Sequence, residues 1–195
     1  VIEFGPGDAI KSVHLLKELS ERNALKNYFP IDISKNIIDL LNENLPKKIL
    51  GISINGFAGE YLEMLAAVNK ISSIKKLVLF LGANIGNFKF NEMPKFCKNL
   101  RNLLSQDDLV LIGFDLKKDP QKILAAYKDK AGFTAQFNLN LLRRINKELD
   151  VDFDLNNFEH YATYDPESGA CKSYLISTKE QTVNIKNTLI GFEKC

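Results

Sequence analysis

The sequence predicts an α/β protein in which an open parallel sheet is followed by a smaller α+β lobe. Three observations lead there. Short apolar runs alternate with amphipathic stretches up to Asp115, the rhythm of right-handed strand–helix–strand crossovers. Glycine-containing turns follow the first and the fourth of these runs. Past Asp115 the order changes to helices followed by short alternating segments.

Val1-Ile2-Glu3-Phe4 reads as the first strand and Gly5-Pro6-Gly7 as a tight turn. From Ile10 to Glu21, Val13, Leu15, Leu16 and Leu19 approximate helical spacing. Tyr28 to Asp32 is a second strand, after which Ser34 caps a helix with Ile37, Ile38, Leu40 and Leu41 on its apolar face. Ile49 to Ile54 is expected as a third strand and Tyr61 to Val68 as a helix. Lys76 to Leu81 is a nearly continuous apolar run, the mark of a strand buried on both faces. Pro94 to Leu104 is helical and Leu109 to Phe114 is the fifth strand. Pro120 suits the first turn of a helix ending near Tyr127, and Ala131-Gly132 separates it from a longer helix over 135–149. Phe158 to Tyr164, Cys171 to Thr178 and Thr182 to Ile185 alternate like antiparallel strands, with Asp165-Pro166-Glu167-Ser168-Gly169 as the first turn. The expected division is a first domain over 1–117 and part of a second, smaller lobe over 118–195. The chain opens inside a strand without methionine, so it is expected to be a piece of a longer protein.

Composition narrows the classes. The 195 residues are 45% hydrophobic and 26% charged with mixed sign, which supports a packed core and excludes a disordered chain. A net charge of +2 with dispersed lysine pairs (Lys47-Lys48, Lys75-Lys76, Lys117-Lys118) gives no clustered basic face, so no nucleic-acid partner is expected. Cys97, Cys171 and Cys195 stand far apart without a CxxC, which makes neither a disulfide framework nor a zinc site, and no metal is expected. They are read as buried, unreactive thiols in a cytoplasmic, reducing compartment. No apolar run reaches bilayer-spanning length, so no membrane partner is expected, and no signal peptide is seen. Most of the 13 phenylalanines are assigned to the core. His14 is assigned to helix packing or surface and His160 to a strand. Nothing in the sequence speaks to oligomeric state.

An open parallel sheet binds its ligand beyond the carboxyl ends of its strands, near the point where strand order reverses. Glu3-Phe4-Gly5-Pro6-Gly7 ends the first strand, and its glycines let backbone approach a ligand where a Cβ would clash. Asp32 ends the second strand about 25 residues later, close to the offset at which an acid takes the ribose hydroxyls of an adenosine cofactor. Ile10 stands where a dinucleotide site wants its third glycine. That disfavours a nicotinamide cofactor and suits one without a pyrophosphate, such as S-adenosylmethionine. After the fourth strand, Gly82-Ala83-Asn84-Ile85-Gly86-Asn87-Phe88 belongs beside the reactive end of such a cofactor. Asp115, after the fifth, is read either as facing the cleft or as a polar loop residue.

Longer segments carry a resemblance. Phe80 through Asn87, Gly113 through Pro120, Ala125-Ala126-Tyr127, Gly132 through Asn140, Asn146 through Leu149, Asp152-Phe153-Asp154 and Phe158-Glu159-His160 resemble the histidine-specific methyltransferases of the ergothioneine pathway. Those enzymes trimethylate the α-amine of histidine with S-adenosylmethionine. The resemblance implies a Rossmann-like class I methyltransferase sheet and a small amino-acid substrate. It implies that Gly5, Gly7 and Gly82 line the cofactor, Lys11 reaches its carboxylate and Asp32 holds its ribose. Glu60-Tyr61, with Asn55 as a rival, would flank the adenine. Asn87 and Tyr127 would hold the amino-acid head group and orient the amine. In the family, a tyrosine on an N-terminal helical segment also meets the substrate, and a glutamate and a serine near the C-terminus read the imidazole. This chain is expected to begin after the first and end before the others. Similar enzymes methylate the amine of a prenylated tryptophan, so a tryptophan derivative is the alternative acceptor. A catalytically silent methyltransferase-like binding module is the non-enzymatic alternative.

Overall fold

A computed structural model describes residues 1–82, 84–186 and 188–195. The chain divides into two compact units, Val1–Asp115 and Leu116–Cys195.

In the first unit the strands are β1 (Ile2–Phe4), β2 (Asn27–Asp32), β3 (Ser53–Ile54), β4 (Phe57–Ala58), β5 (Leu77–Phe80) and β6 (Leu109–Ile112). Helices α1 (Val13–Glu21), α2 (Lys35–Lys48), α3 (Tyr61–Ile71) and α4 (Met93–Asn102) connect them. All pairings are parallel in the order β3-β2-β1-β5-β6, and β4 also pairs with β2. This is the α/β architecture expected. Strand order runs outward from β1 to β2 and β3, then restarts on the other side of β1 with β5. The switch point therefore lies between β1 and β5, at the ends that carry Gly5 and Gly82.

Local chemistry accounts for the elements. Val78, Leu79 and Phe80 are fully buried, as a strand covered on both faces requires. The Ser34 hydroxyl accepts from Ile37 N at 3.4 Å and caps α2, whose Ile38, Leu41 and Leu45 face inward. One side of the sheet packs Phe4, Ile31, Leu65, Phe80 and Phe96 together; the other packs Leu16, Tyr28, Leu41 and Leu45.

Several boundaries differ from expectation. The third strand does not run from Ile49. Ile49 is the buried C-cap of α2, and Leu50-Gly51 turns with Gly51 at φ +80°. The strand is instead two short pieces on the same edge of β2, interrupted at Asn55-Gly56. A Cβ on Gly56 would stand 2.5 Å from Ile38 Cγ2, so the break is where backbone meets α2. Helix α1 starts at Val13 rather than Ile10, because residues 7–12 form turns. Helix α3 extends beyond Val68 to Ile71.

The second unit contains α5 (Pro120–Tyr127), α6 (Phe133–Leu149), β7 (Phe158–Tyr164), β8 (Cys171–Ser177), β9 (Gln181–Ile185) and β10 (Thr188–Phe192). Asp119 accepts from Gln121 N and starts α5 ahead of Pro120. Asp129 accepts from Phe133 N and Thr134 N and starts α6, two residues earlier than periodicity predicts. Strands β7 and β8 form one antiparallel pair and β9 and β10 another. The turn over 165–169 is as expected, closed by Gly169 N donating to Asp165 O at 2.8 Å. Strand β10 is not among the strands the sequence predicts; Leu189 and Ile190 are exposed, which blurs its alternation, while Phe192 packs on Phe153 and Phe158.

The cysteine reading needs correction. Cys97 and Cys195 are exposed; Cys97 follows the inward-facing Phe96 on α4 and so points out. Cys171 is half-buried, and burial raises its thiol. Four phenylalanines, Phe90, Phe114, Phe133 and Phe137, are also exposed. Neither histidine is buried; His14 faces outward on α1, and His160 Nε2 lies 2.9 Å from Ser173 Oγ.

Candidate active site

The candidate residues of the first unit follow the carboxyl ends of β1, β2, β4 and β5. β1 ends at Phe4 and turns at Gly5 (φ +62°) and Gly7 (φ +55°), conformations that L side chains rarely adopt. Gly5 is enclosed: a Cβ there would stand 2.7 Å from Asn84 Nδ2 and 2.9 Å from the Tyr61 hydroxyl. At Gly7 a Cβ would meet nothing within 4 Å. At Gly7 the turn thus presents bare backbone to open space, which is what a closely approaching ligand requires.

The turn is built from below by a buried polar cluster. Glu3 is 3% exposed on β1, and the Tyr28 hydroxyl of β2 donates to its Oε2 at 2.6 Å. Ser12, also buried, donates to Ala9 O at 3.3 Å and lies beside both groups. Burial raises the Glu3 carboxyl above its ordinary value, opposed by these two hydroxyls and by the Lys11 ammonium. Burial and then the Glu3 charge push the Tyr28 phenol well up. Glu3 was legible only as the first letter of the glycine motif; Tyr28 and Ser12 carried no sequence signal as its partners.

Asp32 ends β2. Its Oδ1 accepts from Ser34 N at 2.9 Å, and its backbone carbonyl accepts from Gly59 N at 2.9 Å. The chain before α3 is thereby brought to Asp32. Glu60 is the N-cap of α3 and is exposed. Tyr61 packs inward, stacked on Phe4 at 5.0 Å between ring centroids and edge-on to Phe80 at 5.5 Å. Burial, then the Asp32 and Glu60 carboxylates, hold its phenol above the usual value. Asn55 is exposed, and its amide donates to Ser53 Oγ.

β5 ends in Gly82 (φ +73°). A Cβ on Gly82 would stand 3.2 Å from Lys11 Nζ and 3.9 Å from Asn84 Nδ2, so Lys11 reaches across to this turn. Ala83 of the expected loop lies outside the described residues. Asn84–Asn87 is a 3-10 turn, anchored by the buried Ile85 and followed by Phe88, which packs on Phe96 at 4.6 Å. Asn87 is exposed at its end. Asn84, not singled out from the sequence, donates from Nδ2 to Gly5 O at 3.3 Å.

Gly5, Gly7, Lys11, Asp32, Glu60, Tyr61, Gly82 and Asn87 are therefore all in the first unit. Tyr127 is the last residue of α5 in the second unit, 41% exposed. No metal-holding group of histidine, cysteine and acidic residues occurs among the described residues, and no helix there is long and apolar enough to cross a membrane.

Comparison with known proteins fits this geometry. The chain is 31% identical over 185 residues to the histidine N-alpha-methyltransferase of Mycobacterium tuberculosis (strain CDC 1551 / Oshkosh), covering 95% of this chain and 57% of that protein. It is 30% identical over 190 residues to ergothioneine biosynthesis protein 1 of Neurospora crassa, covering 94% of this chain and 21% of that protein. Over 207 residues it is 29% identical to an L-tryptophan methyltransferase of Psilocybe serbica, covering 95% of this chain and 57% of that protein. The chain thus spans little more than half the length of the mycobacterial relative. The family profile described as "Histidine-specific methyltransferase, SAM-dependent" matches residues 1–194. The chain belongs to the family of histidine-specific, S-adenosylmethionine-dependent methyltransferases.

Proposed function

We propose that the protein transfers methyl groups from S-adenosylmethionine to the α-amine of an amino acid, L-histidine first. The observation that carries this reading is the meeting, at the switch point, of two positive-φ glycine turns with Lys11 beside one of them and Asp32 on the neighbouring strand. The fit of the cofactor rests on the open space at Gly7 and on the donor set, a carboxylate for ribose hydroxyls and an ammonium for a carboxylate. No phosphate-cradling third glycine follows; Ile10 occupies that position and is exposed. The histidine assignment is supported by the mycobacterial and fungal relatives, which match the chain at 31% and 30% identity. A tryptophan derivative is the second reading, supported by the 29% identical tryptophan methyltransferase.

When bound, the cofactor supplies a methyl on a sulfonium, whose neutral sulfide leaves without acid assistance. The residues of this chain bind and orient. Gly7 would admit the ligand to backbone and Gly5 would line it from the same turn, Asp32 would accept from the ribose hydroxyls, Lys11 would pair with the carboxylate, and Glu60-Tyr61 would flank the adenine. Asn87 of the first unit and Tyr127 of the second are each assigned to the substrate head group. The amine must lose a proton to solvent before it attacks; a peptide amino terminus titrates near pH 8, and the carboxylate of a free amino acid raises its amine above that, so only a small neutral fraction is present at physiological pH. Holding two reactants at near-attack distance then provides most of the acceleration. We assign residues 1–117 to the cofactor and 118–195 to part of the substrate lobe, and place the enzyme in the reducing cytoplasm.

The test is isothermal titration of S-adenosylhomocysteine into the full-length protein, with and without histidine. Binding of the analogue followed by micromolar-to-millimolar histidine binding is the expected result. Analogue binding without histidine binding would move the search to tryptophan derivatives. Binding of neither would end the enzyme reading in favour of a protein-binding module.

A further inference from the structure

Strands β1 and β5 are parallel neighbours, and their recorded register ends at Glu3↔Leu79. Beyond it the two chains leave for separate crossovers, and the ladder no longer sets the spacing between the glycine turn and the turn that carries Asn87. Lys11 crosses the gap toward Gly82, and Gly5 is joined across it by the side chain of Asn84. The Gly5 N–H donates to Ile31 O at 2.9 Å, on the Asp32 side. Its carbonyl accepts from Asn84 Nδ2 at 3.3 Å, on the Asn87 side. A carbonyl only accepts, so the amide nitrogen is the end of Asn84 that must face Gly5. Asn84 opens the 3-10 turn that Asn87 closes, and side chains three residues apart in such a turn share a face. The rear of the turn is fixed independently by Ile85 and Phe88 in the core.

We propose that Asn84 is a positioning residue: its amide couples occupancy of the glycine turn to the placement of Asn87, so that a bound cofactor sets the head-group site for the amine substrate. This rests on the cofactor reading given above. The coupling needs a donor at position 84. Asn84→Asp keeps the shape but, ionised, has no hydrogen to give and sets a negative charge against the carbonyl; Asn84→Ala removes the group.

Two measurements on the full-length protein test it. In calorimetry, both variants should bind S-adenosylhomocysteine within about threefold of wild type, while histidine affinity for the analogue complex falls at least about tenfold, the factor that corresponds to one lost hydrogen bond. In hydrogen exchange, the analogue should protect residues 5–9 and 84–88 of wild type, but only 5–9 of the variants. A purely structural role would instead lower thermal stability and both affinities together, and that result would overturn the proposal, as would undiminished protection of 84–88 in the variants. If wild type binds the analogue but not histidine, the acceptor assignment fails while hydrogen exchange still decides on Asn84. If wild type does not bind the analogue, the cofactor reading fails and this inference falls with it.

Discussion

Alanine at Gly5 and at Gly7 separates backbone strain from occupation of the ligand space. Both glycines hold positive φ, +62° and +55°. Either substitution therefore costs about 1–2 kcal/mol of folding stability, the penalty of an L residue in left-handed backbone. At Gly5 the new Cβ also meets Asn84 Nδ2 at 2.7 Å and the Tyr61 hydroxyl at 2.9 Å. Moving the amide aside forfeits its hydrogen bond to Gly5 O, about a further 1 kcal/mol. At Gly7 nothing lies within 4 Å, so the stability cost stops at strain. The added methyl instead occupies the space in which the ligand meets backbone. In urea titrations the midpoint of Gly5→Ala should fall further than that of Gly7→Ala. In calorimetry with S-adenosylhomocysteine, Gly7→Ala should lose at least about tenfold in affinity, about 1.4 kcal/mol. Wild-type affinity in Gly7→Ala would refute the placement of the cofactor against this turn. Equal urea midpoints would refute the account of contacts around Gly5.

Other substitutions probe the remaining parts. Asp32→Asn keeps an acceptor for Ser34 N but removes the charge that receives ribose hydroxyls; analogue affinity should fall about 10–100-fold, the range for hydrogen bonds to a charged group, as read by calorimetry. Tyr127→Phe should raise KM for the amine or lower kcat while cofactor affinity stays near wild type; unchanged steady-state kinetics would remove Tyr127 from the site. Glu3 carries a raised carboxyl in the folded state, so its stabilising contribution is full below its ordinary value of 4.5 and is lost as pH rises through the folded value. Wild-type stability relative to Glu3→Gln should therefore decline as denaturation is followed upward from pH 4.5, and a difference independent of pH would contradict the burial of Glu3. Asp129, whose carboxyl is lowered to about 2 by the Thr134 side chain and the Thr134 and Phe133 amides, acts oppositely: its contribution holds above 3.8 and fades toward pH 2. Asp129→Ala should flatten that acid limb in circular dichroism.

The parallel sheet was legible because its strands announce themselves in two ways. Buried runs such as Val78-Leu79-Phe80 are apolar throughout, and their carboxyl ends carry residues with special backbone or charge, Gly5, Asp32 and Gly82. The split of the third strand was not legible, because it depends on a packing distance, Gly56 against Ile38 of α2, that no local pattern records. Strand β10 escaped for a related reason: its outward Leu189 and Ile190 read like core residues. The exposed thiols show the limit of residue-type averages, since Cys97 faces out only because Phe96 and Leu100 set the phase of α4. Within the candidate site, glycines and the acid could be picked out one at a time. The partnerships could not. Tyr28 reaching Glu3 across 25 residues and Asn84 reaching Gly5 across 79 are products of strand order, visible only once β2, β1 and β5 lie side by side.

The most direct test of the central claim is methyl transfer itself. Full-length protein would be incubated with S-adenosylmethionine carrying a deuterated methyl group and an equimolar panel of amino acids that includes histidine and tryptophan, with products read by mass spectrometry. The account predicts label on the α-amine of histidine, abolished by Asp32→Asn at limiting cofactor and restored when cofactor is raised. Label on another amine would keep the cofactor site and replace the acceptor, whereas no label on any amine at saturating cofactor would contradict the account.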